Sequence, residues 1–217
     1  MKQILKLTFY SLVLFFSFNL YAQKADSIDF KLQVERVSKD STSSFFYHKL
    51  QEKIKNKPGE ISVEDSFYLY YGQIFQDNHK PLSFVANPER LDFDRAIMNG
   101  NCKKAVELGE KILNRNPVDL TVLLHVSNCI TRSGYVDTTH YYEQRLNNLL
   151  DAIFSTGDGN TMSSAIKIVN MEDDYVLKGV LGFFGGNEQL SFDNNHAYSV
   201  WSKGGHKLYF EDVMNIK

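Results

Sequence analysis

A chain of 217 residues with 24 basic and 26 acidic side chains, a formal charge of −2, lacks the basic excess that marks nucleic-acid binding. At 43% apolar content it is long enough to build one or two compact domains.

Lys2 and Lys6 precede an apolar run from Leu7 to Leu20, and Leu20-Tyr21-Ala22 precedes Gln23, the layout of a secretory signal peptide over residues 1–22. The run of about fourteen residues is short of the roughly twenty that a permanent spanning helix needs, so cleavage is expected and no membrane anchor remains. No cysteine stands near the end of the leader, which closes the lipoprotein route. The mature chain is expected to be exported, periplasmic or secreted, and loss of the two leader lysines takes its charge from −2 to −4.

Residues 23–155 read as a helical repeat-like domain. Ile28, Phe30, Leu32 and Val34 alternate as in a strand, whereas Phe30, Val34 and Val37 also fit a helix capped by Asp29, which is the reading adopted. A second helix starts at Ser43 or Ser44, carries Phe46, Tyr47, Leu50 and Ile54, and ends at Lys57-Pro58-Gly59. Ser62 and Asp65 form a capping-box pattern opening a third helix through Phe67, Leu69, Tyr70, Tyr71, Ile74 and Phe75. Gly72 within it permits close packing. Tyr68, Tyr70 and Tyr71 on this aromatic helix are the candidate binding face; the alternative is plain core packing.

Asn87-Pro88 and Asn116-Pro117 each offer a cap followed by proline at the first helical position. Between them, Asn101 caps a helix with Cys102, Ala105, Val106, Gly109, Ile112 and Leu113 on one stripe. A further helix runs from Leu120 to Ile130, apolar on nearly every side, and Asp137 caps the next, with Tyr141, Tyr142, Leu146, Leu149, Leu150 and Ile153. The breakers Gly100 and Gly134 stand 34 residues apart, the period of a tetratricopeptide repeat. The stretch resembles that motif at Ala105, where it has a small residue, and at Pro117, twelve positions on. It departs from the motif at Glu89, in place of a large aromatic, and at Thr139, in place of the second unit's small residue. An ordinary antiparallel helical bundle is the alternative.

Cys102 and Cys129 lie symmetrically about the turn from Asn114 to Pro117, so antiparallel helices bring them to one height. In an oxidising compartment an even pair predicts a disulfide. Two buried thiols are the alternative.

After Phe154 the pattern changes. Residues 156–217 read as a small α+β segment docked on the helices, with strands at Ala165–Val169, Gln189–Phe192, Ala197–Trp201 and Lys207–Val213. Glu172-Asp173-Asp174 opens one short helix with Tyr175, Val176 and Leu177, and Asn194-Asn195 and Lys203-Gly204-Gly205-His206 read as hairpin turns. The expected fold is α+β, mainly α: antiparallel helical hairpins followed by a small antiparallel sheet. Asp29-Phe30, Phe46-Tyr47, Leu69-Tyr70-Tyr71-Gly72, Phe75, Ser155-Thr156-Gly157-Asp158-Gly159 and Leu208-Tyr209-Phe210 resemble an uncharacterised Gram-negative exported family, domain of unknown function 4919. The resemblance spans most of the mature chain and implies no activity.

Chemical motifs are sparse. Gly157-Asp158-Gly159 follows a helix and lacks the Lys-Ser/Thr ending of a phosphate loop, and Ser163 and Val169 break the calcium-loop pattern, leaving a helix-to-strand turn. The histidines form no His-x-x-x-His pair, so no metal or cofactor is expected. His125 reads as a hydrogen-bonded interior group. His196 and His206 can meet Asp193 or Asp212 across strands, the one place that suggests acid–base chemistry. With no catalytic constellation visible, the favoured reading is a non-catalytic module for a protein or peptide partner. The alternative is a hydrolase-like enzyme with a site at the helix/sheet junction.

Overall fold

The computed structural model describes residues 27–76, 88–133, 136–193 and 196–215. The leader, the Asn87 cap, Gly134 and the Asn194-Asn195 turn lie outside these residues, as does the Asp137 side chain. The proposed repeat interval from Gly100 to Gly134 therefore has only one described end.

Among the described residues eight α-helices and a four-stranded mixed sheet give an α+β fold that is mainly α. Helix α1 (Ser27–Lys39) has Asp29 in its first turn. Helix α2 (Tyr47–Asn56) buries Tyr47, Leu50 and Ile54. It starts later than expected because Ser43 Oγ accepts the Phe45 N–H and makes a turn instead of a cap. Helix α3 (Val63–Gly72) opens on a true capping box: Asp65 N–H donates to Ser62 Oγ at 3.0 Å, and Ser62 N–H donates to Asp65 Oδ2 at 2.8 Å. A Cβ on Gly72 would meet Ser38 Cβ at 3.0 Å and Tyr47 at 3.3 Å, so the glycine lets α3 lie close against α1 and α2.

Helices α4 (Pro88–Met98), α5 (Cys102–Arg115), α6 (Leu120–Ser133) and α7 (Val136–Phe154) follow, each packed on the next, and α7 returns to cover α3. Asn101 caps α5 through the Lys104 N–H, and Gly100 turns the chain at φ 66°. A Cβ on Gly109 would fall 2.3 Å from Val126 and 3.1 Å from Phe93, so α5 is sandwiched closely between α4 and α6. The start of α6 differs from the sequence reading. Asp119 accepts the Val122 N–H at 3.0 Å and caps the helix, while Asn116 closes the end of α5, so Pro117 stands in the connection rather than at the first helical position. Cys102 and Cys129 form the expected disulfide, with Cα atoms 5.0 Å apart. It ties the first residue of α5 to Cys129, just before the last turn of α6.

A turn holding Gly159 at φ 71° leads from α7 to β1 (Ile166–Ile168), followed by α8 (Asp173–Val180), β2 (Asn187–Asp193), β3 (His196–Lys203) and β4 (His206–Asp212). The strand order is β1-β4-β3-β2. The sheet is mixed instead of antiparallel, because β1 pairs parallel with β4. The cause is connectivity. β1 leads into α8 rather than a tight turn, so the chain crosses to the far edge, and two antiparallel pairings bring β4 back beside β1.

Ile166, Ile168, Leu208, Phe210 and Trp201 join the buried helical residues in a single apolar cluster. No described helix is long and apolar enough to cross a membrane.

Candidate functional site

Among the described residues the candidate sites are the polar seam between helices and sheet, a charged group on the opposite sheet face, and the exposed edge strand.

The seam is built from α3 and the first turn of α8. Tyr70 and Tyr71 are fully buried, so of the three tyrosines singled out in the sequence only Tyr68 keeps part of its ring at the surface, stacked on Phe45 at 4.6 Å. Consecutive helical residues point in different directions, but α3 is covered on several sides by α1, α2 and α7, which encloses both Tyr70 and Tyr71. Tyr70 O–H donates to Asp173 Oδ2 at 2.6 Å and accepts the Val169 N–H at 3.2 Å. Tyr71 O–H donates to the Lys167 carbonyl at 2.8 Å.

Burial drives the Asp173 carboxyl up to about 8, with the negative charges of Asp119, Glu172 and Asp174 adding to it. Asp174 Oδ2 accepts both the Ser199 hydroxyl at 2.6 Å and the Trp201 indole N–H at 2.8 Å. Its Oδ1 is buried without a partner among the described residues, and burial raises this carboxyl as well. These groups can exchange protons, but Tyr70, Asp173, Asp174 and Ser199 are all buried. The seam therefore ties α3, α8 and β3 together and offers no surface for a substrate.

The second feature lies on the sheet face away from the core. Tyr198 on β3 is the register partner of Glu211 on β4, and Lys167 on β1 is the other neighbour of Glu211. His196 Nδ1 lies 2.7 Å from Glu211 Oε1, and Lys167 Nζ lies 3.2 Å from Glu211 Oε2. The acid partner of His196 is thus Glu211, on the diagonal across the strand pair, instead of Asp193 or Asp212. Asp212 points to the other face and accepts the Met214 N–H. His206 stands exposed at the hairpin end opposite Lys203. Burial and the Glu211 charge push the Tyr198 hydroxyl up to about 12. Among the described residues no hydroxyl or thiol is bonded to His196, so the group has an acid–base dyad but no activated nucleophile beside it.

His125 also differs from expectation: its ring meets Phe93 edge-on at 6.3 Å, and burial lowers its affinity for a proton. Asp158 in the Gly157-Asp158-Gly159 turn accepts the Asn160 N–H and the Ser164 hydroxyl, the work of a loop carboxylate. Among the described residues no cluster of three or more His, Cys, Asp or Glu has the arrangement of a metal site.

The third feature is β2, the sheet edge. Its inner side pairs with β3 over seven consecutive residues, from Asn187 opposite Ser202 to Asp193 opposite His196. Its outer side pairs with no strand among the described residues. Glu188, Leu190 and Phe192 share the face on which α8 packs, since Glu188 and the α8 residue Asp174 both take the Ser199 hydroxyl. Leu190 is 56% exposed and Phe192 76% exposed. Phe184, at 68%, and Val180 and Leu181 at the end of α8 add exposed apolar surface just before the strand. Lys203 Nζ donates to the Phe184 carbonyl and holds that loop against β3. The sequence marks the strand through Leu190 and Phe192 but carries no sign that it is the edge.

No curated protein and no solved structure matches the chain. The family model described as Domain of unknown function (DUF4919) matches residues 32–212, from α1 to the last residue of β4. With that span reaching from the first helix to the last strand, the chain belongs to the DUF4919 family.

Proposed function

We propose that the protein is an exported, non-catalytic module that binds a protein or peptide partner through the apolar strip of β2 and the end of α8. The observation that carries this reading is the exposure of Leu190 and Phe192, two apolar residues on one face of an edge strand, with Phe184 nearby in sequence. Large apolar side chains grouped on a surface cost solubility unless a partner covers them. The acid–base groups support the same reading from the other side: those of the seam are enclosed, and His196 stands without a nucleophile among the described residues. The paired cysteines and the leader pattern over residues 1–22 support export.

Selection from a random displayed-peptide library tests the binding reading. The wild-type protein is expected to enrich sequences that the double variant Leu190→Lys/Phe192→Lys fails to retain, while thermal unfolding of the two proteins stays alike. Equal retention by the variant would refute it. Intact mass of protein recovered from periplasm or medium tests export, with a mature chain beginning at Gln23 expected and a retained Met1 contradicting it.

A further inference from the structure

The geometry points to a definite mode of binding, resting on the reading above: β2 takes up an extended, basic and apolar segment of another protein as a fifth, antiparallel strand. An edge strand presents unpaired N–H and C=O groups, and natural sheets blunt such edges with charged side chains, proline, bulges or short length. Of these devices β2 carries only two acids, Glu188 turned to the α8 face and Asp193 at its last position. It is seven residues long, Asn-Glu-Gln-Leu-Ser-Phe-Asp, with no lysine or proline, and its register with β3 runs without a bulge. An open edge supplies main-chain hydrogen bonds, and alternate side chains beside it supply selectivity.

Charge decides the occupant. The ionisable groups of β2 are Glu188 at one end, on the face of Leu190 and Phe192, and Asp193 at the other, on the opposite face. A second copy pairing antiparallel about Leu190 would set each Glu188 opposite Phe192 and each Asp193 opposite Asn187, leaving all four carboxylates without a cation across the pair. Opposite charges paired across strands are favourable, and a second copy of β2 supplies none. A segment with two apolar residues beside Leu190 and Phe192, and basic residues beside Glu188 and Asp193, meets both faces. Antiparallel pairing is chosen because it is the more stable per residue. Read from the Asp193 end, the fitting sequence is basic-apolar-polar-apolar-polar-basic-polar, and a capped Arg-Val-Thr-Val-Thr-Lys-Thr heptapeptide is the probe.

Titration of that heptapeptide into the intact mature protein, followed by fluorescence of a label on the peptide, tests the proposal. Three backbone N-methyl groups on alternate residues of the peptide, those whose N–H faces β2, are expected to weaken binding about a hundredfold, since each removes a donor to the edge and blocks its approach. Replacing its Arg and Lys by Glu is expected to weaken binding about tenfold at low salt and less at high salt. N-methylated peptide bound within about twofold of the parent would overturn strand addition but leave the apolar-surface reading standing. Parent peptide bound equally by wild type and Leu190→Lys/Phe192→Lys would overturn that reading as well. Absence of any saturable binding by the parent peptide at millimolar concentration would overturn the stated partner chemistry, with the library selection deciding the surface reading separately. A protein that dimerises at micromolar concentration, with the dimer lost in the double variant, would assign the edge to a second copy and overturn the proposal.

Discussion

Replacing Asp173 by asparagine removes a buried carboxyl while keeping an oxygen to accept the Tyr70 hydroxyl. In the folded protein burial raises this group from 3.8 to about 8, so between those values the unfolded chain has lost the proton that the folded chain still holds. The unfolded state then binds fewer protons, and stability falls as pH rises. The contribution is fully present below the unfolded value and is gone once pH has passed through the folded one. At about 1.4 kcal/mol for each pH unit of difference, the wild type is expected to lose on the order of 5 kcal/mol across this window. The amide of the variant cannot ionise, so the part of the slope due to Asp173 goes with the carboxyl, while Asp174, which burial also raises, leaves its own slope in both proteins. Asp65 does not confuse the measurement. Burial pushes its carboxyl up, but Lys53 and the Ser62 donors outweigh burial and leave it below 3.8, so its contribution is lost only as pH falls into the acid range. Urea unfolding of wild type and Asp173→Asn at half-unit steps from pH 4 to pH 8 measures the difference. The curves are expected to lie close at pH 4 and to diverge with the variant more stable at pH 8. Parallel curves would refute the buried-carboxyl reasoning, and a variant destabilised equally at every pH would show that the hydrogen-bond geometry, not the proton, is what Asp173 contributes.

Two further outcomes follow from the packing. Loss of the Cys102–Cys129 link in Cys102→Ala/Cys129→Ala is expected to lower stability by roughly 3 kcal/mol, because the closed loop spans 27 residues; two titratable thiols in denatured, unreduced wild type would contradict the bond itself. Gly109→Val places side-chain atoms where Val126 and Phe93 already stand, so a loss of about 1–3 kcal/mol in urea unfolding is expected, and an unchanged midpoint would contradict the close α5–α6 approach.

What could be read from the sequence was local. The Ser62–Asp65 capping box, the Asn101 cap and the periodic stripe of α5 depend on neighbours within four residues, and the structure contains all three. The cysteine pair was legible because a single turn relates the two positions. Where the sequence misled, the deciding partner was remote. Tyr70 is enclosed through a bond to a residue 103 positions away, so nothing near it separates Tyr70 from the half-buried Tyr68. The parallel pairing of β1 with β4 depends on how α8 crosses the sheet. The partner of His196 was a matter of diagonal register, which composition does not encode. The candidate surface was half visible: the sequence placed a strand over Gln189–Phe192, and only the strand order made it an edge.

In the proposed mode of binding β2, rather than the tyrosine helix α3, receives the partner. Amide hydrogen exchange with and without saturating heptapeptide tests it most directly. Protection is expected to rise at alternate amides between Asn187 and Asp193, with the amides flanking Tyr68 unchanged. Protection appearing around Tyr68 while β2 exchanges at its free rate would contradict the account.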